Sequence, residues 1–439
     1  MSDFPSSKFD RGKIFAKTGL KVGSNYARHY LSRPFQNNRD EKKSDLHRSS
    51  AQQIFSEFTK LRGTALKIAQ SMSMDQGFLP DEFAEVMTQA QYRVPPINKA
   101  LVRSLIKKEL GKYPEQLFKH FEPEALAAAS IGQVHRATLP DDTEVAVKIQ
   151  YPGVRDTIES DLAIARGIFR QLVTKNSDID TYFEEIRSTL LEETDYLHEG
   201  RQIESFHELF GSGDVITPRW LPEYSSRKVL TMSFIQGEHL GDFLNRHPSQ
   251  EEKNRYGQLL WDFFHRQIEK NDLIHADTHP GNFLLTPEQK LGVIDFGCVK
   301  KFPDDFFLNY LRLLPTHLQR NEEQIIELYL ALDVLKSHPS ESEKEQLYFE
   351  FCRNYGYTFA IPYERSDFNF GDPGYKNLIR SYTKNAPVSN EPRGSKHFIY
   401  STRVHLGLYH LLMKLEANVN TADSKKIVSD MLNRQKKRA

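Results

Sequence analysis

The stretch His275-Ala276-Asp277-Thr278-His279-Pro280-Gly281-Asn282, followed by Asp295-Phe296-Gly297, decides how this chain is read. It sets an acid, Asp277, five positions before an amide, Asn282. A second acid, Asp295, follows a short apolar run from Leu291 to Ile294. Phosphoryl transfer asks for such a set: a carboxylate beside the attacking group and oxygen donors for magnesium. His275 and His279 flank Asp277 at a spacing of four. On a helix that spacing would suit a metal pair, but Pro280-Gly281 reads as a loop. Phosphate contact, backbone contact or a structural role is therefore the expectation for both histidines.

Upstream, Tyr256 to Asn271 carries Leu259, Leu260, Phe263 and Phe264 at helical spacing and delivers the chain to this loop. Gln236-Gly237-Glu238 reads as a hinge, and Val215 to Pro218 and Lys228 to Ile235 as strands. Ile186 to Phe210 reads as one long helix carrying Glu193, Asp195 and Glu199. Further back, Leu126 to Leu139 reads as strand, turn, strand, Pro140 to Thr143 as a turn, and Glu144 to Ile149 as a β-rich run holding Lys148. Val145-Ala146-Val147-Lys148 matches the third-strand pattern of protein kinases, whose lysine holds the α- and β-phosphates. Protein kinases also carry the acid, amide and DFG pattern of the opening stretch, with an arginine where this chain has Ala276. Ala127-Ala128-Ala129-Ser130 and Gln133 stand where those enzymes carry a glycine-rich loop. Alanine is disfavoured at positive φ, so the backbone over a nucleotide must differ. A kinase needs a helix acid to hold the strand lysine. Glu199 and Asp195, four apart, share a helix face that Glu193 does not, and Glu199 is read as the partner of Lys148. The plain alternative is an exposed acidic helix.

The 439 residues suffice for two or three domains. At 38% hydrophobic and 27% charged, the composition is that of a globular protein able to bury a core. A formal net charge of zero gives no reason to propose nucleic acid as a partner. Residues 1–50 form a basic segment (Lys8, Arg11, Lys13, Lys17 among its cations) in which Ile14, Leu20, Val22 and Tyr26 would line one helix face. Packing on the main domain is preferred there to contact with an anionic membrane. Residues 51–76 read as a helix, with Lys67 and Gln70 three apart on one face and off the apolar stripe. A further helix runs from Asn98 to Leu110, stopped by Gly111. Residues 154–175 read as helical, Ser366 to Arg393 as irregular, and Phe398 to Asn418 as a leucine-striped helix. Two cysteines, Cys298 and Cys352, make neither a disulfide framework nor a metal set. No transmembrane run and no secretory signal is seen, so the expected location is cytoplasmic, with peripheral membrane contact as the open alternative.

Together these motifs resemble those of the UbiB-type atypical kinases, the aarF-domain or ubiquinone-biosynthesis kinase-like family. The residues that carry the resemblance are a K-x-G-Q helix (Lys67 to Gln70), the alanine loop with Ser-Ile-Gly-Gln-Val-His, V-A-V-K, an E-x-D motif (Glu193, Asp195), H-x-D-x-H-P-G-N, and DFG. Ala69 stands where the first motif has glycine. The resemblance implies an α+β, bilobal protein-kinase-like fold. Its parts would be a helical extension at 51–120 packed on the active site, an N-lobe at 121–236 and a mainly helical C-lobe at 237–439. It implies ATP and Mg²⁺ as cofactors. Ala127, Ala128, Ala129, Ser130, Gln133, Lys148 and Glu199 would serve the nucleotide, Asn282 and Asp295 the metal, and Asp277 the attacking group. Lys67 and Gln70 would occupy the place of a peptide substrate, and Lys67, Gln70, Glu193 and Asp195 would form a catalytic polar cluster against the nucleotide site. The implied activity is an ATPase supporting isoprenoid-quinone lipid biosynthesis, with quinone precursors or biosynthetic enzymes as partners. A phosphotransferase acting on a small molecule or lipid, and a nucleotide-sensing scaffold, remain as alternatives.

Overall fold

The computed structural model describes residues 48–52, 54, 64, 68, 97–129, 131–170, 179–211, 213–270, 273–384 and 393–436. The chain divides into two units, Met1–Arg201 with Arg219–Phe234, and Gln202–Pro218 with Ile235–Ala439.

In the first unit, Asn98 caps helix α1 (Lys99–Leu110) by accepting from the Leu101 amide at 2.9 Å, and Gly111 ends it at φ 77°. This is the stop expected of a glycine in the left-handed region. The short helix α2 (Pro114–Leu117) leads to strands β1 (His120–Phe121), β2 (Ala127–Ala129), β3 (Gly132–Thr138) and β4 (Glu144–Gln150). Helices α3 (Val154–Phe169), α4 (Ile179–Glu193) and α5 (Tyr196–Phe210) follow. The chain then contributes β5 (Val215–Ile216) to the second unit and returns for β6 (Val229–Ser233). The sheet is antiparallel in the order β1-β3-β4-β6, with β2 paired to β3. Strand β4 lies between two neighbours, and every residue after Glu144 is buried. A strand covered on both faces is buried throughout rather than in alternation, so Lys148 sits in an interior strand. Of residues 51–76, Ala51, Ile54, Thr64 and Ile68 are buried and helical. The Thr64 hydroxyl lies 3.4 Å from the Val154 carbonyl and from Thr157 Oγ1 at the start of α3.

The second unit begins from β7 (Glu238–His239), α6 (Leu240–Asn245) and the long helix α7 (Gln250–Lys270). Strands β8 (Leu273–His275), β9 (Phe283–Leu285), β10 (Leu291–Val293) and β11 (Val299–Lys301) frame the opening loop. They form a four-stranded sheet β5-β10-β9-β7 and a separate pair β8-β11. Then come α8 (Asp304–Gln319), α9 (Glu322–Ala331), α10 (Glu343–Ala360), β12 (Asp367–Asn369), α11 (Pro373–Lys384), α12 (Lys396–Leu415), β13 (Asn418–Asn420) and α13 (Ala422–Lys436). In the leucine stripe of α12, Leu408, Leu411, Leu412 and Leu415 are buried and Leu406 is half-buried.

Three expectations change. The helix expected over Ile186 to Phe210 is two, α4 and α5, broken at Thr194-Asp195. Asp195 Oδ1 accepts from the Leu197 and His198 amides at 3.1 and 3.3 Å, so this acid starts a new helix rather than continuing one. The break is held by Gln150 Nε2, 3.2 Å from the Thr194 carbonyl, and by Arg155, which donates to Thr194 Oγ1 at 3.0 Å. Residues 366–393 are not wholly irregular, because they contain β12 and α11. Pro373 opens α11, Asp372 accepts from the Tyr375 amide at 2.7 Å, and Tyr375 and Ile379 are buried. Helix α12 stops at Leu415, where Glu416 takes φ 54° and turns the chain into β13.

Candidate active site

Two groups of the expected residues are assembled, one in each unit. In the first unit, Lys148 Nζ lies 2.8 and 3.0 Å from the two carboxylate oxygens of Glu199. The side chains are 8% and 3% exposed, so this is a buried ion pair. The Tyr196 ring, fully buried one turn before Glu199, sits 5.2 Å from the ammonium, within the range of a cation–π contact. The height of α5 over the sheet is set by Gly200. A Cβ there would come within 2.3 Å of the Trp220 ring, so only glycine lets helix and indole approach this closely. Glu199 is the neighbouring residue, and its reach to Lys148 follows from that approach.

Removing one partner of a buried pair leaves the other charge without its counter-charge and typically costs several kcal/mol. Glu199→Ala is therefore expected to lower unfolding stability by about 3 kcal/mol, read as a fall in the urea midpoint at unchanged slope. An unmoved midpoint would show that the pair is solvated rather than buried.

Ala127–Ala129 form an extended strand, with Ala127 opposite Val134 and Ala129 opposite Gly132. The alanine loop is thus the tip of a β-hairpin, and Ser130 lies outside the described residues, as do Lys67 and Gln70. Gln133 is buried, and its amide links two segments. Its Oε1 accepts from the Ile97 amide at 2.8 Å, and its Nε2 donates to His135 Nε2 at 2.8 Å. His135 Nδ1 in turn donates to the Glu122 carbonyl at 2.8 Å. Burial pushes the His135 pKa down, which keeps Nε2 an acceptor. Glu193 is buried at the end of α4, and Asp195 Oδ2 lies 3.9 Å from Arg227 Nε.

In the second unit the opening stretch is a loop with a short 3₁₀ turn at Pro280–Asn282, as the Pro-Gly pair predicts. Its anchors are specific. Asp277 Oδ1 accepts from the His279 amide at 3.1 Å, and Asn282 Nδ2 donates to the Asp277 carbonyl at 3.3 Å. Asn282 O accepts from the Ile294 amide at 3.0 Å, and the Ala276 amide donates to Cys298 O at 2.8 Å. Asp295 Oδ1 accepts from the Gly297 amide at 3.0 Å. His275 Nε2 lies 2.7 Å from the Asp295 carbonyl. Burial pushes the His275 pKa down, so the neutral ring donates through Nε2. Phe206, Phe263, Phe264, Phe283 and Phe296 surround the ring. The two histidines thus act on the backbone: His275 as a donor to Asp295, and His279 Nδ1 as an acceptor from Gly281 N at 3.1 Å. Asp277, Asn282 and Asp295 are brought together by one hydrogen-bonded frame. Ala276, which stands where protein kinases carry an arginine, is buried.

Sequence reasoning missed Tyr196, Gly200 and Trp220. A glycine inside a helical pattern is the one available signal, since it marks a close approach to something.

The profile of the ABC1 atypical kinase-like domain matches residues 89–329, more than half of the chain. The chain belongs to that family. This is the UbiB-type, aarF-domain family that its motifs resemble. The matched span contains Lys148, Glu199, Asp277, Asn282 and Asp295. The probable serine/threonine-protein kinase abkA of Dictyostelium discoideum is 30% identical over 356 residues, covering 75% of this chain and 62% of its own length. The mitochondrial atypical kinase COQ8 of Saccharomyces cerevisiae is 30% identical over 385 residues, covering 86% of this chain and 76% of its own length. The chain spans about half the length of AarF domain-containing protein kinase 1 of Gallus gallus, at 54%. Among solved structures, Rv3197 of Mycobacterium tuberculosis, in complex with erythromycin, aligns at a TM-score of 0.60 and 25% identity, over 89% of this chain and 98% of its own. The fold is accordingly the α+β kinase-like one.

Proposed function

We propose that this chain is an ATP-binding atypical kinase whose nucleotide turnover supports isoprenoid-quinone lipid biosynthesis. What supports the reading is that the first unit holds a buried Lys148–Glu199 pair and the second a hydrogen-bonded loop carrying Asp277, Asn282 and Asp295, the residue types that phosphoryl transfer uses. Lys148, held by Glu199, would contact phosphate oxygens. Ala127, Ala128, Ala129, Ser130 and Gln133 would shape the backbone that covers them. Asp277 would orient the attacking hydroxyl or water and take its proton. Lys67, Gln70, Glu193 and Asp195 would form a polar cluster against the nucleotide site.

The donor chemistry fits Mg²⁺. Asn282 and Asp295 offer hard oxygens, and magnesium is commonly held by one or two carboxylates plus substrate phosphates rather than by an all-protein cage. When bound, the ion would neutralise charge on the phosphate oxygens. The likeness to COQ8, an atypical kinase of mitochondria, supports the quinone-related reading. No described helix is long and apolar enough to cross a membrane. Rv3197 is similar to this chain and was solved with a small molecule, erythromycin, so a phosphotransferase acting on a small molecule or lipid is kept as the second reading.

Purified protein with Mg-ATP separates these readings. Phosphate release stimulated by anionic liposomes, with no labelled acceptor, is expected. Label transferred from [γ-³²P]ATP to a lipid or a small molecule would replace the first reading with the second. Nucleotide binding without either result would leave a nucleotide-sensing scaffold.

A further inference from the structure

We infer that helix α12 positions the Asp277 loop through one glycine, Gly407, packed directly against Thr278. Gly407 lies in the interior of α12, within the leucine-rich run, where glycine weakens a helix relative to alanine. A residue so placed needs a packing reason. The reason is steric: a Cβ on Gly407 would fall 1.7 Å from Thr278 Oγ1, 2.6 Å from its Cβ and 3.2 Å from its Cγ2. No rotation of the threonine side chain relieves the contact with its Cβ. Thr278 is buried, its hydroxyl has no hydrogen-bond partner among the described residues, and it is the residue after Asp277.

Helix α12 has little freedom to retreat. At its end the chain is tied to α7: the Asn418 amide donates to Asn254 Oδ1 at 2.8 Å, and the Asn420 amide to Gln258 Oε1 at 2.7 Å. Two residues before Gly407, His405 Nδ1 lies 2.7 Å from the Tyr310 hydroxyl of α8. Two residues after it, the buried Tyr409 packs 6.2 Å from Trp261 of α7. With the helix held from both sides, a side chain at 407 displaces the softer partner, the loop. The Asp277 carboxylate moves with it, since Asp277, His279 and Asn282 share one hydrogen-bonded frame. Gly407 and Thr278 are thus positioning residues: they touch no reacting group and set where the acid stands.

This inference rests on the reading of Asp277 as the acid that orients the attacking group. The test is a double-mutant cycle on Gly407→Ala and Thr278→Gly. Gly407→Ala is expected to lower kcat for phosphate release roughly 10- to 100-fold, the cost of a misplacement near 1 Å, with KM for Mg-ATP little changed. In the Thr278→Gly background the same change should cost less than about threefold, because the obstructing atoms are gone. Amide exchange at His279 and Gly281 should rise in Gly407→Ala and fall back in the double variant. A Gly407→Ala protein with wild-type kcat and a raised melting temperature would overturn the inference, since alanine would then simply improve the helix. So would a kcat loss of equal size in both backgrounds. If Gly407→Ala does not fold, recovery of folded protein in the double variant supports the contact, and failure there too overturns it. A wild-type chain without Mg-ATP turnover would sink the proposed function instead, and the exchange cycle at His279 and Gly281 would still decide the positioning.

Discussion

Asp295→Asn is expected to abolish magnesium-dependent phosphate release, with a fall of at least about 100-fold at saturating Mg-ATP. The substitution keeps the size of the side chain and an oxygen that can still accept from the Gly297 amide, at 3.0 Å in the native chain. The His275 bond to the Asp295 carbonyl, at 2.7 Å, involves the backbone and is untouched. What is removed is one negative charge from a two-residue oxygen set for a divalent cation. Magnesium binds charged oxygens far more tightly than amide ones when only one or two protein ligands are supplied. Phosphate release against magnesium concentration checks this, beside a thermal melt that should barely move. Turnover within threefold of the native chain at low millimolar magnesium would remove Asp295 from the metal set, and with it the proposed mechanism.

The second large effect is on stability in mild acid. His265 and His317 are buried in the second unit, each with one ring nitrogen on a helix carbonyl and the other on a tyrosine hydroxyl. His265 lies 2.7 Å from Trp261 O and 2.7 Å from the Tyr363 hydroxyl. His317 lies 2.6 Å from Leu313 O and 2.9 Å from the Tyr329 hydroxyl. Burial pushes their pKa values down to about 3 and about 4. A histidine in the unfolded chain titrates near 6.5. Below that pH the unfolded state binds protons that the folded state refuses, so stability rises with pH. The contribution is fully present above about pH 6.5 and is lost as pH falls toward the folded values. Between pH 7 and pH 5 each ring loses about 2 kcal/mol, hence about 4 kcal/mol for the pair. His135, His275, His405 and His410, whose values burial also lowers, act with the same sign. Urea unfolding at the two pH values measures the loss. An equal midpoint at pH 5 and pH 7 would mean that water reaches these rings in the native state.

The contacts of the candidate site that follow local pattern were readable from spacing. Asp277, Asn282 and Asp295 fall within one short loop and hairpin, and the Lys148–Glu199 pair needs only a strand lysine and a helix acid at the right turn. What was not readable depends on partners distant in sequence. Nothing near Asp195 distinguishes an exposed helix acid from a cap; the distinction is made by Gln150 and Arg155 holding Thr194 out of the helix. Helix α11 hid within a Gly-, Pro- and Asn-rich stretch because two buried residues, Tyr375 and Ile379, outweigh poor local propensity. Strand β5 was legible as a strand, but its parallel pairing with β10 across some 75 positions was not, since a two-residue ladder leaves no pattern. The packing of Gly407 on Thr278 joins positions 129 residues apart and leaves no local signal. The Lys67 and Gln70 reading lies outside the described residues and stands on resemblance alone.

The cap at Asp195 bears on how its chemistry should be dissected. One carboxylate oxygen of this residue holds the first turn of the helix that carries Tyr196 and Glu199. Alanine at this position removes charge and cap together, so lost activity in that variant would report an unravelled helix start as readily as a missing ligand. Asparagine is as good a cap as aspartate and carries no charge. It alone separates the two roles, and the comparison of the two variants shows how much of this motif's importance is architecture.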